Sequence, residues 1–448
     1  MHRRKVASLL ATVGILAAAC SSTPATSGGA SASGAPASSL AASGGTAASS
    51  GTAASSGTAA SPGTAGESSS TASGSTAPSG SAANLPTAVG PGEGALNLVA
   101  WAGYVVGGTG GEKVPDGGID WVTPFEQQTG CKVKVTVGVD SANMVQLMKT
   151  GQYDGVSASG DATLRLIAGG DVSPVNTALI PNYKDVFEGL KNQSYNTVNG
   201  QAYGVPHGRG ANVLMYTKSD VNPAPDSWSV VFDPNSPYKG KVTAYNYAIY
   251  IADAAMYLMA TKPELGIKNP YALDDTQFAA AVDLLKQQKS IIGKYWVTAQ
   301  DEIDGFANGD MVVGSAWQYQ ANTINGDKDT VGVTLPKEGA TGWSDTWMIS
   351  SVAKHPNCMY MWMDYIISPK ANAQVTVSYG EAPVSAPACA EAEKLSKGHC
   401  DTFHANDEAY FKNIWYWNTP TANCLDGRGA ICADFDKWTQ AWTEVTGG

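Results

Sequence analysis

The chain has 448 residues, a formal net charge of −11 at pH 7 and 43% hydrophobic residues. This acidic balance argues against nucleic acids and anionic lipid surfaces as partners, because both are themselves negatively charged. The length is sufficient for two lobes that each have a hydrophobic core.

The first twenty residues have the pattern of an export signal. Three basic residues at positions 3–5 precede an uncharged apolar run at 6–19, which is too short to span a bilayer permanently. The run ends in small residues before Cys20, and this arrangement resembles the lipobox of bacterial lipoproteins. We expect 1–19 to be a signal peptide and Cys20 to carry the lipid that anchors the protein outside the cytoplasm. An ordinary secretory signal with a chance cysteine is the alternative.

Residues 20–93 are almost wholly Ser, Ala, Gly, Thr and Pro, with a six-residue repeat that begins at Gly45, Gly51 and Gly57. Such a segment cannot bury enough apolar surface to offset chain entropy, so it is predicted to be a disordered linker. At flexible-linker dimensions it would hold the folded body roughly 45 Å from the membrane on average.

The body begins with alternating strand and helix patterns. In chain order we predict a buried strand at 95–100, a helix at 119–129 that stops at Gly130, an alternating strand at 132–137, a helix at 144–150 and a strand at 153–157. This order predicts right-handed crossovers and a largely parallel sheet.

The pattern then starts again. We predict strands at 205 and 212–216 that leave the first sheet, a strand at 241–244, helices at 248–259 and 278–289, strands at 311–317 and 346–351, and a helix at 358–367 before Pro369. We predict an α/β fold of two lobes, with 94–212 as the first part of lobe 1, 213–342 as lobe 2, and 343–448 as a return to lobe 1 with C-terminal helices. One large doubly wound sheet is the alternative.

Six cysteines follow Cys20, and an even number in an exported protein favours disulfides. They are Cys131, Cys358, Cys389, Cys400, Cys424 and Cys432. Six cysteines allow fifteen pairings. Nearness in sequence favours 389–400 and 424–432, which leaves 131–358. Metal binding is the weaker interpretation, because no pair has Cys-x-x-Cys spacing.

Seven short motifs along the body occur in the same order in a known family. They are Leu-Val-Ala-Trp-Ala-Gly-Tyr at 98–104, Tyr-Asp at 153–154, Tyr-Gly-Val-Pro at 203–206, Trp228, Tyr-Lys-Gly at 238–240, Gly-Asp at 309–310 with Trp317, and Pro-Lys-Glu-Gly at 336–339 leading to Trp-Ser-Asp at 343–345. Over about 95–420 the chain resembles the substrate-binding proteins of bacterial polyamine (spermidine/putrescine) ABC importers. Residues 157–164 resemble the putrescine subgroup.

This resemblance implies a two-lobed periplasmic-binding-protein fold of type II, with the ligand in a cleft at the hinge. It also implies a monomer without a cofactor that captures a small cationic amine and docks on the permease of an importer. The chain has no nucleotide-binding loop, so ATP hydrolysis would come from separate ATPase subunits.

An alkyl amine needs carboxylates for its ammonium ends and aromatic faces for its methylene groups. The candidates follow predicted strands at their carboxyl ends, where ligands bind in open α/β sheets. They are Trp101, Tyr104, Ser159, Asp161, Trp317, Trp343 and Asp345. The resemblance implies that Asp345 is the main amine-binding carboxylate.

Each candidate also has a structural alternative. Trp101 and Trp317 would serve equally well as core residues, and Tyr104 as the cap of a loop. Asp161 has the residue type and position of a helix N-cap. The structural alternative for Asp345 is an ordinary surface acid.

The chain departs from the family pattern at four positions. Tyr247 and Tyr250 stand where the family has acids on the second lobe, and Glu381 stands where it has an aromatic residue. The fourth is Arg209, which follows His207 in a segment that is usually aromatic in the family. On one interpretation, Asp161 and Glu381 supply the carboxylates that the family has at the positions of Tyr247 and Tyr250. Alternatively, Arg209 holds a carboxylate with its two-pronged guanidinium, which suits an ω-amino acid such as γ-aminobutyrate. An ordinary salt bridge is the structural alternative for Arg209.

A hydrolase is the rival class, but the body has neither a Gly-x-Ser-x-Gly motif nor an obvious base. Its histidines are His207, His355, His399 and His404. His355 and His399 are predicted to be surface residues. We therefore do not expect an enzyme, although a glycosidase or a sugar carrier also uses acids and aromatic rings.

Overall fold

The computed structural model describes residues 85–326 and 328–447. The predicted signal peptide, Cys20 and the linker up to residue 84 lie outside the described residues. The end of the predicted linker, 85–93, is packed on the body. The Glu93 carboxylate accepts hydrogen bonds from the backbone N–H groups of Asn357 and Cys358, both at 2.9 Å. The prediction that disorder extends to residue 93 is therefore wrong at its end, because Glu93 caps a helix.

The strands of the described chain are short. They are β1 Ala95–Ala100, β2 Lys132–Val137, β3 Gly155–Ala158, β4 Val172–Ser173, β5 Thr197–Val198, β6 Gln201–Ala202, β7 Val205–Pro206, β8 Gly210–Thr217, β9 Val242–Tyr245, β10 Ile292–Trp296, β11 Val313–Trp317, β12 Val331–Thr334, β13 Ala340–Trp343, β14 Thr346–Ser350 and β15 Ile414–Tyr416.

The α-helices pack on both sides of these strands. They are α1 Val122–Thr129, α2 Ser141–Lys149, α3 Gly160–Ala168, α4 Ser229–Phe232, α5 Ile251–Thr261, α6 Asp275–Gln288, α7 Ala299–Ala307, α8 Gln318–Asn325, α9 Pro356–Ile366, α10 Pro369–Tyr379, α11 Ala386–Leu395, α12 His399–Thr402, α13 Glu408–Phe411 and α14 Phe435–Thr446.

The first sheet has the strand order β2-β1-β3-β14-β4, and β7 also pairs with β14. Strands β2, β1 and β3 are parallel, as predicted from the β-α-β-α-β order. Strand β14 enters antiparallel to β3 from a much later part of the chain. We call this sheet and the helices packed on it the first lobe.

The second sheet has the order β10-β9-β11-β8-β13-β15, with β12 paired to β8. We call it, with its helices, the second lobe. The presence of two separate sheets contradicts the alternative of one large doubly wound sheet.

The structure divides the segment 343–448, which the sequence analysis assigned to the first lobe. Strand β14 and helix α9 pack in the first lobe, but β15 pairs with β13 of the second sheet. Trp438 and Trp442 of α14 lie in the core of the second lobe. The C-terminal helix therefore belongs to the second lobe, because its apolar face is buried there.

Local patterns account for several element boundaries. Strands β1 and β2 have the predicted bounds, and α1 ends at Gly130, which has the left-handed conformation (φ 75°) typical of a helix end. Helix α2 begins at Ser141, three residues earlier than predicted, because the Asp140 side chain caps it through the backbone N–H of Asn143 at 2.7 Å.

The structure contains the three disulfides Cys131–Cys358, Cys389–Cys400 and Cys424–Cys432. The second and third are the pairs that nearness in sequence favours, and the first is the pair that these two leave. The first joins the start of β2 to α9 across 227 positions of the chain. Among the residues that the structure describes, no helix combines the length and the apolar character that crossing a bilayer requires.

Candidate functional site

The candidate site lies where the chain passes between the two sheets. Strand β7 of the first sheet leads into β8 of the second, and β13 of the second leads back into β14 of the first. These passages lie side by side, since the His207 N–H donates to the Asp345 backbone oxygen at 2.7 Å. The segment after α10 joins them through a two-way backbone pairing of Arg209 with Ala382. We call these three stretches of the chain, which contain His207, Asp345 and Ala382, the crossing segments.

Asp345 lies on one crossing segment and is 3% exposed. Its two carboxylate oxygens accept hydrogen bonds from first-lobe hydroxyls, from Ser159 at 2.5 Å and from Tyr104 at 2.7 Å. Burial raises the pKa of Asp345, although these two hydrogen bonds act in the opposite direction. The interpretation of Asp345 as a surface acid is therefore wrong.

Glu381 brings a second buried carboxylate to the same place. Its side chain is fully buried, and its Oε2 lies 3.5 Å from the Tyr104 hydroxyl that also binds Asp345. Burial raises the pKa of Glu381, His207 acts in the opposite direction, and the charge of Asp345 adds to the effect of burial. We call Asp345 and Glu381 the acid pair.

His207 lies beside the acid pair. The Trp347 indole N–H donates to His207 Nδ1 at 2.8 Å. The other ring nitrogen, Nε2, lies 3.3 Å from Glu381 Oε1, and the ring stacks on Tyr104 with the centroids 4.0 Å apart. His207 therefore packs between Trp347, Tyr104 and Glu381.

No Lys or Arg nitrogen of the described chain lies within 4.0 Å of either member of the acid pair. A buried carboxylate without a positive partner is costly, because it has lost its hydration. The acid pair is therefore suited to receive a cation from outside.

Asp161 is a third buried acid close by, in the first turn of α3. Its Oδ1 accepts a hydrogen bond from the Ser141 hydroxyl at 3.0 Å, and its Oδ2 has no partner among the described residues. The N-cap of α3 is Ser159 rather than Asp161, so the interpretation of Asp161 as the cap is wrong. Burial raises the pKa of Asp161 to about 6.

This raised pKa predicts a pH-dependent stability. Between pH 4 and pH 6 the folded protein binds more protons at Asp161 than the unfolded chain does. The stabilisation that protonated Asp161 contributes is therefore complete below about pH 4 and is lost as the pH rises through about 6. We expect Asp161→Asn to reduce the fall in melting temperature between pH 4.5 and 8, by an equivalent of about 2 kcal/mol.

The measurement is a series of thermal melts of the ligand-free protein. Burial also raises the pKa of other acids, so the variant should retain part of the dependence of melting temperature on pH. Asp116→Asn, at an exposed acid of the first lobe, is the matched control and should melt like the parent. An unchanged slope in Asp161→Asn would contradict the prediction.

Aromatic rings connect the acid pair with the second lobe. Tyr104 packs edge-on against Tyr379 at 4.7 Å between centroids, Tyr379 lies 6.0 Å from Trp343, and Trp343 lies 6.3 Å from Trp317. Gly210 makes room for Trp343, because a Cβ there would lie 2.5 Å from the indole ring. The predicted residues Tyr104, Trp317 and Trp343 are thus neighbours along one aromatic path.

Three other predicted site residues have their described contacts elsewhere than at the acid pair. Trp101 is partly buried between the two core clusters of the first lobe. Tyr250 is buried in the second-lobe core, where its hydroxyl accepts a hydrogen bond from Gln288 at 2.9 Å. Tyr247 is partly buried beside Phe435 and faces the charge of Asp161 rather than that of Asp345.

Arg209 has partners of its own. Its guanidinium donates to Glu408 at 2.8 Å and to the Ala405 carbonyl at 3.0 Å, and it lies over the Phe411 ring at 3.6 Å. The structural alternative proposed for Arg209, a salt bridge, is thus present in the structure.

Sequence reasoning missed the parts played by His207, Trp347 and Tyr379. His207 was considered only as a hydrolase base. The Tyr-Gly-Val-Pro motif at 203–206, which leads into it, was an available signal. His399, predicted to be on the surface, is buried with its Nε2 2.9 Å from the Glu381 carbonyl, whereas His355 is partly exposed beside Asp154. Within the described part of the chain, no group of three His, Cys, Asp or Glu side chains is arranged to hold a metal ion.

Residues 120–399 match the family model described as bacterial extracellular solute-binding protein. The chain belongs to this family of solute-binding proteins.

Named relatives are consistent with this family. The chain is 26% identical over 317 residues to the putrescine-binding periplasmic protein PotF of Escherichia coli. This match covers 66% of this chain and 80% of the relative. It is 23% identical over 274 residues to the spermidine/putrescine-binding periplasmic protein 1 of Haemophilus influenzae, covering 60% and 72%.

A solved structure has the same fold. It is the spermidine/putrescine ABC transporter substrate-binding protein PotD of Streptococcus pneumoniae, with a TM-score of 0.60 and 17% identity over 79% of this chain and 97% of that chain. The fold is therefore the two-lobed type II periplasmic-binding-protein fold predicted from the sequence.

Proposed function

We propose that this protein is an extracytoplasmic solute-binding lipoprotein that captures a polyamine of the putrescine/spermidine type and delivers it to an ABC importer. The observation that carries the proposal is the acid pair, two buried carboxylates at the crossing segments without a Lys or Arg partner in the described chain.

The chemistry of the acid pair suits an alkylammonium ion. An ammonium group offers three N–H donors and a positive charge, which match carboxylate oxygens that have no cation of their own. The aromatic path through Tyr379 and Trp343 would cover the methylene groups, and its faces attract positive charge. The names of the relatives that bind putrescine or spermidine support the same ligand class.

The position of the acid pair supports capture by closure of the two lobes. A ligand held at the crossing segments contacts both lobes only when they close, so it shifts the equilibrium towards the closed form by its difference in affinity for the two forms. The closed monomer would dock on a membrane permease, and separate subunits would hydrolyse ATP. The lipid on Cys20 would keep the protein at the outer face of the cell membrane.

The alternative ligands are supported less well. An ω-amino acid needs a cation for its carboxylate, but Arg209 is occupied by Glu408 and stacked on Phe411. A neutral sugar would leave the charges of the acid pair unbalanced.

Isothermal titration of the purified protein with putrescine, spermidine, γ-aminobutyrate and maltose tests the proposal. We expect a polyamine to bind with a Kd of about 1 µM or lower, equivalent to about −8 kcal/mol, without any chemical change of the ligand. Tighter binding of γ-aminobutyrate or maltose than of either polyamine would contradict the proposal, and so would turnover of the ligand.

A further inference from the structure

The loop that leads from β1 to α1 carries Tyr104, whose hydroxyl donates to Asp345 at 2.7 Å. Tyr104 is fully buried, and its ring stacks on His207. The part of this loop from 105 to 119 precedes residues 120–399, which the family model matches. Any support that Tyr104 receives from this part of the loop therefore comes from outside the matched residues.

Glu112 lies in this part of the loop and holds the backbone on both sides of Tyr104. Its two carboxylate oxygens accept hydrogen bonds from the Gly103 N–H at 2.8 and 3.0 Å. Its Oε1 also accepts a longer hydrogen bond from the Val105 N–H at 3.5 Å. Gly103 and Val105 are the sequence neighbours of Tyr104, so one carboxylate fixes the chain before and after it.

The main chain of Glu112 is attached to the same turn. Its N–H donates to the Val105 carbonyl at 2.7 Å, and its carbonyl accepts from the Gly107 N–H at 2.9 Å. Gly111 permits this close approach, because a Cβ there would overlap the Gly107 carbonyl oxygen and lie 2.8 Å from that of Val105. The Glu112 side chain therefore reaches Gly103 from a fixed position.

The bonds that Glu112 makes to the backbone are of the stronger kind. Hydrogen bonds to an ionised carboxylate are about twice as strong as those between neutral groups. The carboxylate is partly buried, and burial raises its pKa, while the hydrogen bonds from Gly103 and Val105 act in the opposite direction. The Glu112 carboxylate is thus stabilised by the backbone groups that it holds in place.

The position of the Tyr104 hydroxyl bears directly on the acid pair. This hydroxyl binds Asp345 and lies 3.5 Å from Glu381 Oε2, so it lies between the two carboxylates. Groups that bind a ligand have to be held within about 0.5 Å of their productive positions. Gly103 has a positive φ of 87° and, as a glycine, has many other conformations open to it. Without the Glu112 carboxylate, the turn would be free to move the hydroxyl away from the acid pair.

We propose that Glu112 is a positioning residue of the amine site, which holds the backbone around Tyr104 so that the Tyr104 hydroxyl fixes the acid pair for an ammonium group. Glu112 acts through Tyr104 and does not itself contact the ligand. This inference rests on the proposed function, because it requires that the acid pair binds an amine.

A double-mutant cycle with Glu112→Met and Tyr104→Phe, measured by calorimetric titration with putrescine, tests this role. Glu112→Met keeps the length of the side chain and removes its acceptor oxygens. We expect it to weaken putrescine binding about tenfold in the parent protein, but less than about twofold in Tyr104→Phe, which has no hydroxyl to position. Glu112→Gln should weaken binding less than about threefold, because its amide oxygen still accepts from the Gly103 N–H.

Asp116→Asn, at an exposed acid of the same loop, is the matched control and should bind putrescine like the parent. Thermal melts of the ligand-free variants check that each is folded, and Glu112→Ala carries the same expectation if Glu112→Met does not fold. An equal loss of affinity in both backgrounds, or no loss in the parent, would overturn the positioning role while the proposed function stands. If the parent binds no putrescine, the proposed function itself fails, and the positioning role with it.

Discussion

Replacing Asp345 by Asn is expected to weaken putrescine binding by about 30-fold or more, equivalent to about 2 kcal/mol or more. The substitution keeps the shape of the side chain and removes the charge that an ammonium group would pair with. The Ser159 and Tyr104 hydroxyls can reorient to the amide, and the cost of burying a charge disappears. The melting temperature of the ligand-free protein should therefore change little.

Titration calorimetry of Asp345→Asn measures the first effect, and thermal melting measures the second. Asp116→Asn is the matched control, because it removes the same charge from an exposed position of the first lobe. Glu381→Gln should have the same direction of effect. Unaltered putrescine affinity in Asp345→Asn would remove this residue from the site.

Replacing Cys131 and Cys358 together by Ala is expected to lower the free energy of unfolding by about 5 kcal/mol. The disulfide closes a loop with a sequence separation of 227, so its removal frees a large part of the unfolded chain. Both cysteines are fully buried in the core of the first lobe, away from the acid pair. The folded variant should consequently bind putrescine like the parent.

Urea unfolding followed by tryptophan fluorescence measures this loss. The matched variant is Cys389→Ala with Cys400→Ala, whose sequence separation is 11 and whose expected loss is about 3 kcal/mol. Equal losses in the two double variants would show that loop length does not determine the stabilisation.

Local elements of the fold could be predicted because their signals lie within a few residues. The alternation in 132–137 and the buried run in 95–100 predicted β2 and β1 with the observed bounds. Gly130 marked where α1 ends, and Pro369 marked the end of the helix before it, α9. The late pairing of β14 with β3 has no local signal, since nearly 190 residues separate the two strands.

The candidate site was only partly predictable for the same reason. The position of Asp345 after a strand, two residues from Trp343, indicated an acid beside an aromatic ring. That Glu381 lies beside it, and that Trp347 donates a hydrogen bond to His207, depends on backbone pairing of the crossing segments. Likewise, the sequence suggested that Arg209 binds the carboxylate of a ligand, whereas in the folded protein it forms a salt bridge with Glu408.

Composition and periodicity by themselves predicted an export signal, a low-complexity linker, about half of the strands, fewer of the helices and the favoured cysteine pairs, because each of these depends on neighbours along the chain. Only the tertiary structure decided that Asp345 and Glu381 are buried side by side and that α14 belongs to the second lobe. These features join residues tens to hundreds of positions apart, and the free energy of burying a charge depends on what surrounds it in space rather than on its sequence neighbours.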